Sequence, residues 1–324
     1  MKRVLIVGAG KLGSRHLQAL KAVREPLEIV VLDPSPESLR LAKERFEEMA
    51  TIGGAHSVEY SQKIKTNGTP TDLAIIATTS RDRLRAIEEA YAAGPVNCFV
   101  LEKILFQQPE DFEAARKLFL KNGSRVWVNC ITRFIPAYRN IKSSFTHPDL
   151  FYHVSGGIVG LATSTVHFLD HIAYLTGCFE YTVDTSLLDP VPIKSKREGF
   201  LEFNGTLTAR FSNGTLFTIT HYPAGIEPTQ IIIGNRDARY IFRQEEEKVW
   251  VAKASDGWRS EEKTAPFLYQ SIMTTTVVED ILGKGSCDLS TYEESVKVHL
   301  PLMEALRAFL NTHGSEQYDY YPFT

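Results

Sequence analysis

The first half of the chain takes its fold from the stretch VLIVGAGKLG, residues 4–13. Its first four residues form a continuous apolar run, which is typical of a strand that is buried on both faces. Glycines end this run, and Leu12, His16, Leu17 and Leu20 then fall near one face of a helix. The spacing therefore predicts a strand, a tight turn and a helix, which is how a doubly wound α/β domain begins.

The same alternation continues along the chain. Further apolar strands are predicted at Leu27–Leu32, Leu73–Ala77, Cys98–Leu101 and Val126–Val128. Helices are predicted from Pro36 onward, over Arg81–Ala93 and over Asp111–Leu120. Strict alternation of this kind predicts a parallel sheet with helices on both faces. We place this first domain at residues 1–128.

A different pattern begins after residue 128. The runs Leu207–Phe211 and Thr215–Thr220 flank an Asn-Gly turn and predict a β-hairpin. Short strands are also predicted at Gln230–Ile233, Arg239–Arg243 and Lys248–Ala252. Two helices are predicted, Thr165–Leu175 and Tyr292–Leu310, the second interrupted by Pro301. Residues 129–324 are thus expected to form an α+β domain on a mostly antiparallel open sheet.

Composition excludes several classes of function. The net charge of −3 and the lack of a long basic stripe argue against a nucleic-acid partner. The four cysteines contain no CxxC pair, so neither a disulfide framework nor a zinc cage is expected. The apolar run at residues 4–7 is too short for a signal peptide or a membrane span. We therefore expect a cytoplasmic protein with a small-molecule ligand.

Three glycines form a GxGxxG pattern at Gly8, Gly10 and Gly13, with Lys11 and Leu12 between the last two. The first glycine permits a tight turn, the second lets the backbone approach a pyrophosphate, and the third lets helix and strand pack closely. The helix that follows would direct free N–H groups and its positive dipole end at the phosphates. The pattern predicts a Rossmann dinucleotide site, and a purely structural glycine turn is the alternative.

An acidic residue stands at the distance that this site requires. Asp33 ends the second predicted strand, twenty positions after Gly13. A carboxylate there would accept hydrogen bonds from the adenosine ribose, which favours NAD. Arg40 is near enough in sequence to leave NADP open, and a helix-capping role for Asp33 is the alternative.

Polar residues follow the next two strands. Thr78, Thr79 and Ser80 come after the strand that begins at Leu73, where their hydroxyls and amides would line the cofactor crevice. Glu102 and Lys103 hold the equivalent position after the following strand and are placed for proton transfer to a substrate oxygen. A helix cap at Ser80 and a surface ion pair of Glu102 with Lys103 are the structural alternatives.

These motifs together resemble a known family. They are the glycine fingerprint, the Ala-Thr-Thr stretch at residues 77–79, Glu102-Lys103, Arg133-Phe134-x-Pro136 and His167-x-x-Asp170. In order and spacing they resemble the glucose–fructose oxidoreductase/inositol dehydrogenase/MocA family over nearly the whole chain. The resemblance implies an NAD(P)-dependent oxidoreductase with a Rossmann domain and a substrate-binding and oligomerisation domain.

The resemblance also implies roles for single residues. Lys103 would lie beside the nicotinamide as the catalytic lysine, although Ile104 stands where the family has proline, which puts the geometry of that loop in question. His167 matches a histidine beneath the nicotinamide, and Asp170, three residues on, would orient it. Thr163 replaces the family's Asp, so the proton-transfer apparatus is expected to be altered.

Besides Lys103, Thr163 and His167, three further residues are candidates for the substrate site. His171 lies one turn beyond His167 and would compensate for the missing carboxylate at Thr163, and Arg133 would hold the cofactor or an anionic substrate group. Tyr222 would form a wall of the pocket, or equally be an aromatic of the sheet. His167 and His171 are spaced like two metal ligands, but the glutamate of HExxH is absent, so no metal is expected.

Together these residues predict hydride transfer between a nicotinamide and a hydroxyl or carbonyl carbon of a sugar, cyclitol, sugar nucleotide or related polar metabolite. A non-catalytic dinucleotide-binding sensor of the same fold is the second hypothesis, since Thr163 lacks the family's charge. An open antiparallel sheet usually needs a partner, so we expect a homodimer or homotetramer.

Overall fold

The structure is a computed structural model of the 324-residue chain. It describes residues 1–50, 52–157, 160–221 and 227–324. The chain forms two compact units, which are residues 1–129 with 268–292, and residues 130–267 with 293–324. The return of residues 268–292 to the first unit was not indicated by any pattern in the sequence.

The elements are numbered in chain order. The strands are β1 (Lys2–Val7), β2 (Leu27–Leu32), β3 (Ser57–Ser61), β4 (Thr71–Ile76), β5 (Val96–Leu101), β6 (Arg125–Val128), β7 (Phe151–Gly156), β8 (Tyr181–Leu188), β9 (Ile193–Lys194), β10 (Leu201–Glu202), β11 (Gly205–Phe211), β12 (Leu216–His221), β13 (Gln230–Gly234), β14 (Ala238–Arg243), β15 (Lys248–Lys253), β16 (Glu261–Thr264) and β17 (Ser290–Thr291). The α-helices are α1 (Gly13–Leu20), α2 (Pro36–Glu48), α3 (Arg83–Ala93), α4 (Pro109–Asn122), α5 (Pro136–Arg139), α6 (Leu161–Thr176), α7 (Gln270–Lys284) and α8 (Tyr292–His313).

The sheet of the first unit has the strand order β17-β6-β5-β4-β1-β2-β3. Strands β1 to β6 are parallel, and β17 pairs antiparallel with β6 at one edge. The order 3-2-1-4-5-6 is that of a doubly wound dinucleotide-binding fold, whose ligand crevice opens where the order reverses, between β1 and β4. The predicted fold of this half is confirmed.

The strands of this sheet are apolar along their length because helices cover both faces. Val4 and Ile6 of β1, Ile29 of β2 and Leu73 and Ile75 of β4 have at most 1% of their surface exposed. This rigid core holds the carboxyl ends of β1, β2, β4 and β5 in register, so the loops that follow them meet at one edge of the sheet.

The second unit is built on an eight-stranded sheet with the order β16-β15-β14-β13-β7-β12-β11-β8. Every neighbouring pair is antiparallel except β7 and β12, which run parallel. The predicted mostly antiparallel sheet is therefore confirmed, as is the hairpin of β11 and β12. Strands β9 and β10 form a separate two-stranded sheet.

One face of this large sheet is buried and the other is partly open. A row of paired residues on the open face runs from His153 of β7 through Ile232 and Ile241 to Trp250, all only partly buried. Phe151 on the same face of β7 is 41% exposed. Alternation along the strands sends their other side chains into the core of the unit.

Two helices differ from their predictions. α7 was not predicted, because its run from Thr274 to Val278 is β-branched and favours a strand; packing against α1 overrides that local preference. α8 was predicted with an interruption, but it continues through Pro301. Val298 and Leu302 on either side of the proline are both buried, so one core holds both halves of the helix.

Candidate functional site

The glycine loop between β1 and α1 requires glycine for two different reasons. Gly8 has a φ of +95°, and a Cβ there would lie 2.9 Å from the carbonyl carbon of Ala77. A Cβ on Gly13 would lie 1.7 Å from the oxygen of Gly8, so only glycine lets the helix pack this closely. A Cβ on Gly10, in contrast, would meet no described atom within 4 Å. Gly10 therefore leaves open space where a ligand would approach.

The first turn of α1 adds a positive potential to that space. Among the residues that the structure describes, no side chain caps this helix, and its first turn has no acidic residue. Lys11 and Leu12 lie in the loop before the helix, with Lys11 exposed and Leu12 half-buried. An uncapped helix N-terminus of this kind is suited to bind a phosphate group.

Asp33 is fixed at the end of β2 by two backbone amides. Its Oδ2 accepts a hydrogen bond from the N–H of Ala9 at 2.7 Å, and its Oδ1 accepts one from Ser35 at 2.8 Å. A carboxylate has about four acceptor positions, so both oxygens keep capacity for ribose hydroxyls. Arg40 forms ion pairs with Glu37 and Glu44 on its own helix. These pairs hold Arg40, the residue that leaves NADP open in the sequence, on its own helix.

The polar residues after β4 divide into two groups. Thr78 and Thr79 line a cavity, and the Oγ1 of Thr78 is buried without a hydrogen-bond partner among the described residues. The hydroxyl of Thr79 donates a hydrogen bond to Asp82 at 3.1 Å. Ser80 is fully buried and does not line this cavity, so we do not include it in the proposed cofactor site.

The cavity has a volume of about 550 Å³ and lies at the carboxyl ends of β1, β2 and β4. Its lining includes Gly8, Gly10, Asp33, Lys63, Thr78 and Thr79. The open space over Gly10, the fixed carboxylate and the orphaned hydroxyl each match a need of a bound dinucleotide. The residues present therefore fit NAD.

Glu102, predicted to line the crevice, is buried inside the first unit instead. Its Oε1 is 2.9 Å from the Nε2 of His16 and also accepts a hydrogen bond from the side-chain amide of Asn129. Burial alone would raise the pKa of Glu102, but its hydrogen bond with His16, the charge of His16 and the hydrogen bond from Asn129 lower that pKa to about 2. We therefore correct its role from ligand contact to a charged support behind Lys103.

The support continues onto α7. The Nδ1 of His16 is 2.8 Å from the hydroxyl of Thr274, and Asn129 donates a second hydrogen bond to Gln270 at 2.8 Å. Gln270 in turn donates to Thr274 at 2.7 Å. Sequence reasoning missed these partners because they come from a helix that it did not predict. The only signal was a histidine on the apolar face of α1.

The loop that begins at Lys103 is held by a buried arginine that sequence reasoning also missed. Lys103 is half-buried, and its peptide bond to Ile104 is cis. Arg83, fully buried at the start of α3, donates hydrogen bonds to the carbonyl oxygens of Thr78, Ile104 and Leu105. One guanidinium thus ties the loop after β4 to the loop after β5.

In the second unit, α6 carries the predicted histidine. Thr163 lies in its first turn and His167 one turn later, and both are half-buried. The spacing of four residues places them on one face of the helix. Tyr222, the predicted wall of the pocket, lies outside the described residues.

Arg133 and Asp170 pair with each other. The Nη1 of Arg133 lies 3.4 Å from an oxygen of Asp170 and 3.4 Å from one of Glu294, and its guanidinium stacks 4.9 Å from the ring of Tyr174. Arg133 is only 8% exposed. Its charge is therefore neutralised within the unit, so we no longer expect it to bind an anionic substrate group. Asp170 has acquired a cationic partner that the prediction did not include.

His171 belongs to the core of the second unit. It is fully buried, with its Nδ1 3.0 Å from the hydroxyl of Tyr152 and its Nε2 3.2 Å from the carbonyl oxygen of Tyr138. Burial lowers the pKa of His171 to about 3, so the ring is neutral at pH 7. A neutral ring with both nitrogens engaged cannot replace a missing charge near Thr163, and we leave it out of the proposed site.

Neither a metal centre nor a membrane-spanning helix is found among the described residues. No three His, Cys, Asp or Glu side chains of the described ranges are grouped as metal ligands would be. No helix in the same ranges is both long enough and apolar enough to cross a bilayer.

Solved structures share this fold over almost the whole chain. An oxidoreductase from Agrobacterium radiobacter, in complex with NAD⁺, L-tartaric acid and magnesium, has 16% identity and a TM-score of 0.73, covering 96% of this chain and 97% of its own. UDP-N-acetylglucosamine 3-dehydrogenase from Acidithiobacillus ferrooxidans has 14% identity and a TM-score of 0.70, covering 94% and 96%. Biliverdin reductase from Synechocystis sp. PCC 6803, with biliverdin and NADP⁺, has 16% identity and a TM-score of 0.68, covering 94% and 98%.

Sequence comparison gives a family for the first unit. No curated protein matches the chain. Residues 2–130 match the model of an oxidoreductase family with an NAD-binding Rossmann fold, and this range contains the glycine loop, Asp33 and Lys103. Over these residues the first unit is similar to the Gfo/Idh/MocA oxidoreductase family.

Proposed function

We propose that this protein transfers a hydride between a nicotinamide and a carbon that bears a hydroxyl or carbonyl group on a sugar, cyclitol, sugar nucleotide or related polar metabolite. The observation that carries the proposal is the cavity at the carboxyl edge of the first sheet, with open space over Gly10 and the buried, orphaned hydroxyl of Thr78. Two of the solved relatives are described with hydroxyl-bearing molecules, L-tartaric acid and UDP-N-acetylglucosamine. Biliverdin reductase shows that this fold also serves other substrates.

A few residues of this chain have defined tasks in the proposed reaction. When bound, the nicotinamide supplies the hydride chemistry at its C4 atom. The Nζ of Lys103 would exchange a proton with the substrate oxygen, and the Arg83 hydrogen bonds to Ile104 and Leu105 fix the loop that carries it. His167 would bind a neighbouring hydroxyl or share the proton. Positioning of this kind accounts for much of the rate of such reactions.

NAD is the proposed cofactor, in preference to NADP. The carboxylate of Asp33 is held in place by Ala9 and Ser35, so it cannot move aside for a 2′-phosphate without losing two hydrogen bonds. A phosphate there would also meet a like charge. Arg40, exposed and paired with two glutamates, offers it no compensation.

The experiment is a turnover assay with NAD⁺, NADH and NADPH across a panel of polyols, sugars and sugar nucleotides. Lys103→Ala should lower kcat by about 10²- to 10⁴-fold and leave the Kd for NAD nearly unchanged, because the lysine acts on the substrate oxygen. Lys117→Ala, an exposed lysine of α4, is the matched control and should keep full activity. Full activity in Lys103→Ala would refute the assignment, and NAD binding without turnover on any compound would favour a non-catalytic sensor.

We also propose a homodimer or homotetramer in the cytoplasm, assembled through the open face of the second sheet. The half-buried row Ile232, Ile241 and Trp250, together with exposed Phe151, supports this surface. Sedimentation of the purified protein at micromolar concentration should give a multiple of 36.4 kDa. Ile241→Glu should yield the monomer, whereas Leu120→Glu on exposed α4 should not. A monomeric native chain would count against this surface.

A further inference from the structure

A carboxylate from outside α6 occupies the N-terminus of that helix. Glu202 of β10 is only 7% exposed. Its Oε2 accepts a hydrogen bond from the N–H of Ala162 at 2.7 Å, and its Oε1 accepts one from the N–H of Thr163 at 2.9 Å. The hydroxyl of Thr163 also donates to Oε1. Three donors of the first turn therefore converge on one buried side chain.

The start of α6 is shaped to receive this carboxylate. The residue before the helix is Gly160, which makes no side-chain cap, and the first turn contains no acidic residue of its own. A Cβ on Gly160 would lie only 2.7 Å from the Oε1 of Glu202. Because glycine has no Cβ, the carboxylate of Glu202 can occupy the space beside residue 160. The negative charge also meets the positive end of the helix dipole, which stabilises both partners.

Glu202 is itself held firmly. The N–H of Leu201 donates to the carbonyl oxygen of Pro322 at 2.8 Å, and the ring of Phe203 contacts that of Phe323 with centroids 5.7 Å apart. Phe203 and Phe323 are fully buried. The residues on both sides of Glu202 are thus anchored, so the position of the carboxylate is determined by the fold rather than by a flexible surface chain.

We propose that Glu202 is a positioning residue for His167: it supplies from β10 the negative charge of the first turn of α6 and, through Thr163, fixes the turn from which His167 projects. The role of His167 rests on the proposed function. Glu202 does more than cap the helix, because its charge acts at the residue one turn before the histidine, on the same helical face. The charge of Glu202 should therefore matter for His167, and not only its hydrogen bonds.

The test moves the carboxylate from Glu202 to the residue it contacts. In Glu202→Gln the charge is lost, and an amide NH₂ faces one of the two backbone donors. The imidazole ¹⁵N signals of His167 should shift, and kcat should fall by about ten- to a hundredfold with the KM for NAD unchanged. The double variant Thr163→Asp/Glu202→Gln returns a carboxylate to the same contact and should restore both readouts. Thr163→Asp alone places two carboxylates together and should destabilise the protein.

The outcomes separate this inference from the proposed function. The ¹⁵N signals need no substrate, so they decide the role of Glu202 even if no compound is turned over. Native signals in Glu202→Gln, or a double variant that fails to restore them, would overturn the inference. If Glu202→Gln does not fold, the ¹⁵N signals of His167 are compared between the native protein and the double variant: matching signals support the inference and shifted signals overturn it. Gly160→Ala, which displaces the carboxylate from the other side, should reproduce the shift of the His167 signals.

Discussion

The helix α1 of the first unit and the helix α6 of the second each have candidate functional residues near the first turn, but the two first turns differ. The first turn of α1 has no side-chain cap among the described residues and opens on the cavity above Gly10. The first turn of α6 is filled by Glu202, which accepts hydrogen bonds from Ala162 and Thr163. Both N-termini attract negative charge. In the first unit that attraction is left for a ligand, whereas in the second unit the protein satisfies it from its own chain.

The same contrast extends to the buried polar groups. In the first unit, Glu102, the residue before Lys103, is buried and hydrogen-bonded to His16 and Asn129. In the second unit, Arg133 pairs with Asp170, and His171 is bonded on both ring nitrogens. A substitution at the open N-terminus should therefore change binding more than stability. A substitution inside the α6 region should change stability, and with it the response of the protein to pH.

Among the substitutions that test this comparison, Gly10→Ala is expected to have the largest effect, which is on the Kd for NAD. A Cβ at this position meets no described atom within 4 Å, so the free energy of unfolding should change by no more than about 0.5 kcal/mol. The methyl group would occupy the space through which a pyrophosphate approaches the helix amides. The Kd for NAD should therefore rise by about tenfold or more, measured by isothermal titration calorimetry.

Gly283→Ala is the matched control for this variant. Gly283 lies in α7 of the same unit, is exposed, and a Cβ there also meets no described atom within 4 Å. Its replacement should leave the Kd for NAD unchanged and stabilise the protein by up to about 1 kcal/mol through helix propensity. Unchanged NAD binding in Gly10→Ala would show that the glycine loop is only a structural turn. The N-terminus of α1 would then not be a ligand site, and the proposed contrast with α6 would be wrong.

The parts that sequence reasoning predicted well depend on neighbours in the chain. The strand β1, the glycine turn and α1 follow each other directly, so apolar spacing and glycine chemistry were sufficient to place them. Asp33 could be placed for the same reason, because the length of one βαβ unit fixes its distance from Gly13. The strict alternation of strands and helices indicates a parallel doubly wound sheet, whereas the order of its strands is seen only in the structure.

The parts that it missed depend on residues far apart in the chain. Glu202 is 39 positions from Thr163, and Thr274 is 258 positions from His16. No periodicity or local motif links such pairs. The replacement at Thr163 was visible in the sequence, but the carboxylate that contacts it comes from another strand. His171 was misjudged because helical spacing cannot tell a face that lines a site from one that packs in a core.

A smaller effect is expected from His171→Gln, which should change how the free energy of unfolding depends on pH. The pKa of His171 is lowered by burial to about 3, whereas an unfolded histidine titrates near 6.5. The unfolded state therefore binds a proton between these values and the folded state does not. The stability that this pKa difference contributes is fully present above pH 6.5 and is lost as the pH falls toward 3. From pH 7.5 to pH 5 this residue alone should remove about 2 kcal/mol from the free energy of unfolding of the native protein.

In His171→Gln that share of the acid sensitivity should disappear, although the variant is less stable than the native protein at pH 7.5 because the contacts to Tyr152 and Tyr138 are altered. Urea unfolding at several pH values measures the slope. His313→Gln, which removes an exposed imidazole of the same unit, should keep the native slope. If His171→Gln also keeps it, the ring is not buried in its neutral form.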